Sequence, residues 1–361
     1  MVTTPYPLRL TTPIRQYTFG ERLIPRILRK AGLPADGVIA ETWEYSDEPS
    51  APATIVNGAL AGTLLNEIVH SDPAWLVGEG FAGERYPLLG KFLDASHALP
   101  VHLHADDEAA VRLLGQPNGK TEAWHILWVA DEDNTTVLAG MKPGVTDDEI
   151  RQAMRDEDYD RVMRRRRIAP GDTVYVPGGT LHTFGPGTLV FEIQQTSDIG
   201  ADVMRIDNYG NVRDDATWQA NIETVLQQLR RDPQPIPTHG LARFEGHNRR
   251  TVCAAGPHFV LERWKITTPL TLTLPEGRGA AITNLVNPVG IAWPGGAESI
   301  ARAESRILPA ALQQVTLIPD GIAYVLVAYV PDLATDVVAP LRAAGYEDEE
   351  IATLGDLAGV L

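Results

Sequence analysis

Short strand-like runs punctuate this chain from end to end, and that rhythm limits its architecture more than any other feature. The runs read VHLH, EAWHILWV, TTVLAGM, DTVYVP, TLVFEIQQ and ADVMRID, then HFVLERWKI, PLTLTLP, GAAITNLV, QVTLIP and AYVLVAYV. Turn formers lie between them, with 32 glycines and 27 prolines spread along 361 positions. Short strands at such spacing favour a sandwich or barrel over alternating β–α units. The expected class is mainly β.

Helices are expected at few places. Thr146-Asp147-Asp148-Glu149 is a capping box, in which threonine takes an orphan amide and glutamate reaches back to the cap. It opens a helix to about Arg164, so the run Arg164–Arg167 reads as a solvated helix end rather than a polyanion site. A second helix is expected over Asp214–Arg231, with acids first and bases last, as the helix dipole prefers. DPQPIPTHG follows as the linker candidate. It divides the chain into residues 1–231 and a β-rich part, 232–361, that ends in helix. No repeat at solenoid or propeller spacing is present.

Charge and composition exclude several functions. Acidic residues outnumber basic ones 47 to 31, for a net charge of −16, whereas a nucleic-acid surface needs clustered cations. One cysteine, Cys253, excludes an intramolecular disulfide framework and a cysteine-rich zinc site. No apolar run reaches the ~18 residues of a membrane span, and the start lacks a secretory pattern. A soluble, cytoplasmic protein is expected, with its oligomeric state open. Gly78–Gly83 formally fits GxGxxG, but Pro87 interrupts any following helix, so a nicotinamide site is set aside. No GxSxG nucleophile elbow occurs.

Four residues point to a metal. In PVHLHADDE, His102 and His104 are two apart, so on a strand both face one side while Val101 and Leu103 face the other. Lys120 and Glu122 share a face in the same way in GKTEAWHILWV. VPGGTLHTFG then delivers His182 from a glycine-rich turn. Three imidazoles and a carboxylate suit zinc or another first-row cation, where calcium would take oxygens alone. His125 lies on the opposite strand face from Glu122 and is not expected to ligate.

That order of ligands resembles the metal-binding pattern of cupins. The resemblance implies a double-stranded β-helix, or jelly roll, carrying the metal, with helical insertions and a second, metal-free cupin-like β domain. IAETWEYSD, PLLGKFLDASHALPVHLHADDEAA, GKTEAWHIL, GDTVYVPGGTLHTFGPGTLVFEIQQTSD and WQANIETVL resemble, in that order, segments of type I mannose-6-phosphate isomerases. The likeness spans roughly residues 38–225. It implies one divalent ion, most simply Zn2+, and a phosphorylated hexose interconverted between aldose and ketose. Lys120 is then a candidate to donate to the sugar oxygen or bind the phosphate, and Glu192 a candidate to point into the site.

Two departures stand out. The family's first ligand is a glutamine, and here that position is His102. The family also carries a tyrosine-arginine strand whose arginine binds phosphate. Here the text is TSDIGADVMRIDNYG, and Arg205 is the nearest candidate, although counting back from Asp207 puts Met204 at that place. A one-residue slip reverses the face of a strand. Two other classes therefore stay open: a cupin that binds a sugar without turnover, and a non-isomerase metal cupin enzyme such as an iron oxygenase.

Overall fold

The computed structural model describes residues 4–274 and 277–361. Its strands form four sheets in two sets. The first set has a six-stranded sheet, in spatial order Ile14–Arg15, Glu41–Tyr45, Leu88–Ala95, Thr188–Gln195, Glu122–Val129 and Thr173–Val176. A five-stranded sheet accompanies it: Ala201–Asp202, His102–Leu103, His182–Phe184, Thr136–Met141 and Met163–Arg167.

The second set repeats the plan. Its six-stranded sheet runs Leu241–Glu245, Asn248–Gly256, Phe259–Ile266, Ala323–Tyr329, Ala280–Asn284 and Ser305–Leu308. Ranked along the chain, both six-stranded sheets have the order 1-2-3-6-4-5. The companion sheet is Leu270–Thr273, Gln314–Pro319, Val289–Trp293 and Gly296–Ile300. That order, 1-4-2-3, matches the first set's companion once the short strand Ala201–Asp202 is set aside. Two distant stretches of sequence thus follow one winding. The last residue of the run PLTLTLP, Pro275, lies outside the described residues, as do Met1–Thr3.

Period-2 alternation explains what positions the site. In Thr188–Gln195, the side chains of Leu189, Phe191 and Ile193 join an apolar cluster shared with Phe259, Leu261 and Leu326 of the second set. Val190 and Glu192 point to the other face, into the first set's interior. Both faces are covered, so the whole strand is buried. The amino-terminal segment also ties the sets together, because Leu8 and Ile307 exchange backbone hydrogen bonds of 2.8 and 3.0 Å.

The capping box is present, with Glu149 N donating to Thr146 Oγ1 at 3.3 Å and Thr146 N to Glu149 Oε2 at 2.8 Å. Its helix is shorter than expected, Asp147–Arg155. Glu157 adopts φ 53°, the chain turns, and Met163–Arg167 becomes a strand paired with Thr136–Met141. The four arginines are therefore not a helix end. They line a sheet edge on which Arg165 and Arg167 are exposed and pair with Asp160 and Asp133. Arginine's helical propensity loses here to long-range pairing, and charge on an edge strand also discourages further pairing. The second helix, Asp215–Gln228, is capped by Asp214. Both helices cover the outer face of the five-stranded sheet, where Ile150, Met154, Ile222 and Val225 meet Val101 and Leu103. Among the described residues, no helix is long and apolar enough to cross a membrane.

Candidate active site

Strand register brings the histidines together. His102 pairs directly opposite His182, and His104 follows on the same face because Val101 and Leu103 are held in the outer core. Glu122 begins a strand of the facing sheet, opposite Gln194 and Val176. One ring nitrogen from each histidine lies within 4.8 Å of the others. Glu122 Oε1 is 3.2 Å from His182 Nε2, and its Oε2 is 3.3 Å from His104 Nε2. Trp124 Nε1 donates to Glu122 Oε1 at 2.8 Å, fixing the carboxylate.

The protonation of the rings follows from their outer contacts. Nδ1 of His102, His104 and His182 lies 2.7, 2.6 and 2.8 Å from the backbone oxygens of Pro100, Ile199 and Thr180 respectively. A carbonyl oxygen only accepts, so each Nδ1 carries the proton and each Nε2 turns a lone pair inward. This backbone anchoring is the usual outer support of metal-binding histidines. Burial and the neighbouring His182 and His104 hold His102 well below the usual imidazole range. Burial and the Lys120 ammonium push His104 down to about 3. Burial alone would raise Glu122, but Lys120 and His104 outweigh it and hold the carboxyl well below its ordinary value. His102 and His104 are thus neutral imidazoles beside a carboxylate, the form in which these groups bind a divalent cation.

A cavity of about 240 Å³ opens beside this cluster. Lys120 Nζ sits at its inner end, 2.8 Å from His104 Nε2 and 3.0 Å from Glu122 Oε2. Glu192 also lines it, 3.7 Å from Lys120 Nζ. Burial and the Glu122 charge push the Glu192 carboxyl up to about 7, against the pull of Lys91 and Lys120. Lys91 bridges Glu192 at 3.0 Å and Glu41 at 3.3 Å. Those two carboxylates overcome the cost of its burial and raise its pKa. Sequence reasoning passed over Lys91, Glu41 and Asp198. A signal existed for Lys91, because a lysine inside the apolar strand LLGKFLDA is buried only when paired.

Arg205 is not brought to the cavity. Its guanidinium pairs with Asp215 at 2.5 Å and lies 5.0 Å over the Trp218 ring, on the side of the second helix. Of that segment, Asp198, Ile199, Gly200, Ala201, Asp202, Asn208 and Tyr209 line the cavity. His125 lies elsewhere too, its Nδ1 2.8 Å from Thr173 Oγ1. A larger cleft of about 700 Å³ runs beside the loop holding Gly78–Gly83, and two of its ionisable groups are paired, Arg278 with Asp336 and His258 with Asp107.

Comparison with known proteins places this arrangement. No protein-family model matches the chain. It is 37% identical over 230 residues to a probable mannose-6-phosphate isomerase of Bacillus subtilis (strain 168), spanning 63% of this chain and 70% of that protein. It is 29% identical over 231 residues to a mannose-6-phosphate isomerase of Streptococcus mutans, spanning 63% and 69% of the two chains. The crystal structure of a mannose 6-phosphate isomerase from Bacillus subtilis superposes with a TM-score of 0.78 at 24% identity, covering 90% of this chain and 99% of that one. A mutant phosphomannose isomerase from Salmonella typhimurium gives 0.69 at 12% identity, covering 90% and 99%, a likeness of fold. Fold and histidine cluster together define a β-rich protein with a buried histidine-based candidate metal site. The chain belongs to the type I mannose-6-phosphate isomerase family.

Proposed function

We propose that this chain is a metal-dependent aldose–ketose isomerase that interconverts mannose 6-phosphate and fructose 6-phosphate. The observation behind the reading is the convergence of three inward imidazole lone pairs and Glu122 beside Lys120 and Glu192, in one cavity of a chain of this family. Both sheet sets are read as double-stranded β-helices, residues 1–231 forming the metal-bearing unit and 232–361 the second.

His102, His104, His182 and Glu122 would hold one divalent ion, and three imidazoles with one carboxylate suit zinc. Their fit rests on the paired lone pairs: His102 Nε2 and His182 Nε2 lie 3.0 Å apart with no proton to share between them. The ion would supply Lewis-acid stabilisation of the oxygen charge that develops in an enediol. The chain supplies the rest. Isomerisation removes a proton from C2 and returns one to C1, while protons exchange at the two oxygens. Glu192, with its pKa near 7, can take and return a proton at neutral pH. Lys120, buried next to it, can donate to the sugar oxygen on which charge accumulates. Arg205 has no part in this scheme.

A coupled assay tests the proposal: metal-stripped protein, mannose 6-phosphate, and detection of fructose 6-phosphate as zinc and then other divalent ions are restored. Metal-dependent product is expected. No product with any ion, despite one bound metal per chain, would sink it.

A further inference from the structure

Because the two sheet sets share a winding, strand register shows which residue of the second stands where a site residue stands in the first. In the first six-stranded sheet, Lys91 pairs with Glu192 and Trp43, and Glu192 pairs with Trp124. In the second, Glu262 pairs with Val327 and Val252, and Val327 pairs with Ile282. Glu262 therefore takes the place of Lys91, and Val327 that of Glu192. Two residues back along the neighbouring strands, Arg250 takes the place of Glu41 and Ala280 that of Glu122. The carboxylate of the histidine cluster has no counterpart here, and the buried ion pair is inverted.

A cavity of about 200 Å³ opens beside Ala280 and Val327, with Arg243, Arg250, Thr273, Thr335 and Asp336 among its polar lining. The two arginines differ. Arg250 is spent: Nε and Nη2 donate to Glu262 at 3.0 and 3.2 Å, and Nη1 donates to Glu245 at 2.9 Å. Glu262 is spent too, since Trp264 Nε1 and the Tyr329 hydroxyl donate to it at 2.5 and 3.0 Å. Half-buried Arg243 keeps its fork open. Its Nη2 stops 3.6 Å from Glu262 Oε1, beyond a hydrogen bond, and its Nε is buried without a partner. Its guanidinium donates a hydrogen bond to no described residue. Such a fork matches a planar carboxylate, which takes two parallel N–H bonds. A phosphate monoester would bring close to two charges beside Glu262 and Asp336, where a carboxylate brings one. Hydroxyls on the same ligand can accept from Thr273 and Thr335. Asp336 already accepts from Arg278 and from Asp332 N through Oδ2, which leaves Oδ1 for a hydroxyl to donate to. The volume is close to the 240 Å³ of the cavity beside the histidines, so a sugar-sized body fits.

We propose that the second sheet set binds a sugar-sized hydroxycarboxylate in this cavity, its carboxylate held by the open fork of Arg243 and without a metal. The site is separate from the histidine cluster and does not depend on the isomerase reading.

The test is calorimetric titration of the full metal-loaded chain with D-gluconate and with D-glucitol, which has the same carbon chain and an alcohol in place of the carboxylate. Gluconate is expected to bind, and glucitol to bind more weakly by about 10-fold or more, as loss of a charge-assisted pair implies. Arg243→Gln should weaken gluconate by a similar factor. Arg243→Lys, which keeps the charge but not the fork, should recover only part of the affinity and guards against misfolding of the glutamine variant. His104→Ala, which disrupts the other cavity, should leave gluconate affinity unchanged. Three results would overturn the inference: no saturable gluconate binding, inorganic phosphate bound as tightly as gluconate, or binding lost in His104→Ala and kept in Arg243→Gln.

Discussion

His102 Nε2 lies 3.0 Å from His182 Nε2 although both rings already spend their Nδ1 protons on backbone carbonyls. Two lone pairs that close repel unless a cation or a proton lies between them. Burial and the adjacent imidazoles hold His102 well below its usual range, which disfavours the proton. A metal ion resolves the conflict. His182→Ala and His104→Ala should therefore lose metal affinity by more than the ~10–100-fold typical of removing an outer partner. Metal content after dialysis against a buffered chelator checks this, and near-stoichiometric metal in both variants would exclude these ligands.

Lys120→Ala should separate catalysis from metal binding. Lys120 touches both His104 and Glu122 but offers an ammonium, which donates and cannot ligate. The expected result is a kcat lower by about 10²–10⁴-fold, the usual worth of a positioned acid or base, with metal retained. Retained kcat would remove Lys120 from the chemistry.

Arg205→Ala should change little. The guanidinium pairs with the exposed Asp215, and such pairs contribute about 0–1 kcal/mol. KM for mannose 6-phosphate should stay within about 2-fold of wild type, as for a substitution outside the cavity. A large rise in KM would mean that the segment moves to place Arg205 over the sugar.

His125 makes the fold acid-sensitive. Burial and the nearby Arg263 push its pKa down to about 3, against ~6.5 in an unfolded chain. Between those values the unfolded chain binds a proton that the folded protein refuses. Stability is thus lost as pH falls from about 6.5 toward 3, by at most ~1.4 kcal/mol per pH unit from this group. His125→Gln should flatten the fall of the urea midpoint over that range in metal-stripped protein. An unchanged slope would assign the acid sensitivity to other groups.

Lys91→Met should destabilise strongly, because it leaves Glu41 and Glu192 buried without their shared cation. Removing one partner of a buried ion pair typically costs about 3–5 kcal/mol. Urea unfolding measures the loss, and adding Glu41→Gln should recover part of it. If the double variant is no more stable than the single, the two residues are not coupled.

The sequence by itself determined what local physics controls. The period of His102 and His104 sets both rings on one strand face. The exchange between Thr146 and Glu149 starts a helix, and Asp214 caps the next. Turn residues between alternating runs set the β class, and co-ordered motifs carried the family. Only the tertiary structure decided what depends on partners distant in sequence. Arg164–Arg167 became a strand because Thr136–Met141 offers a pairing edge, and helical propensity worth tenths of a kcal/mol per residue cannot compete with that. Lys91 became part of the site because Glu41 and Glu192 lie on neighbouring strands, 50 and 101 positions away along the chain. Asp202 reaches the cavity because the sheet sets its register opposite His102, whereas Arg205 lies in a bend beyond that strand and pairs with Asp215.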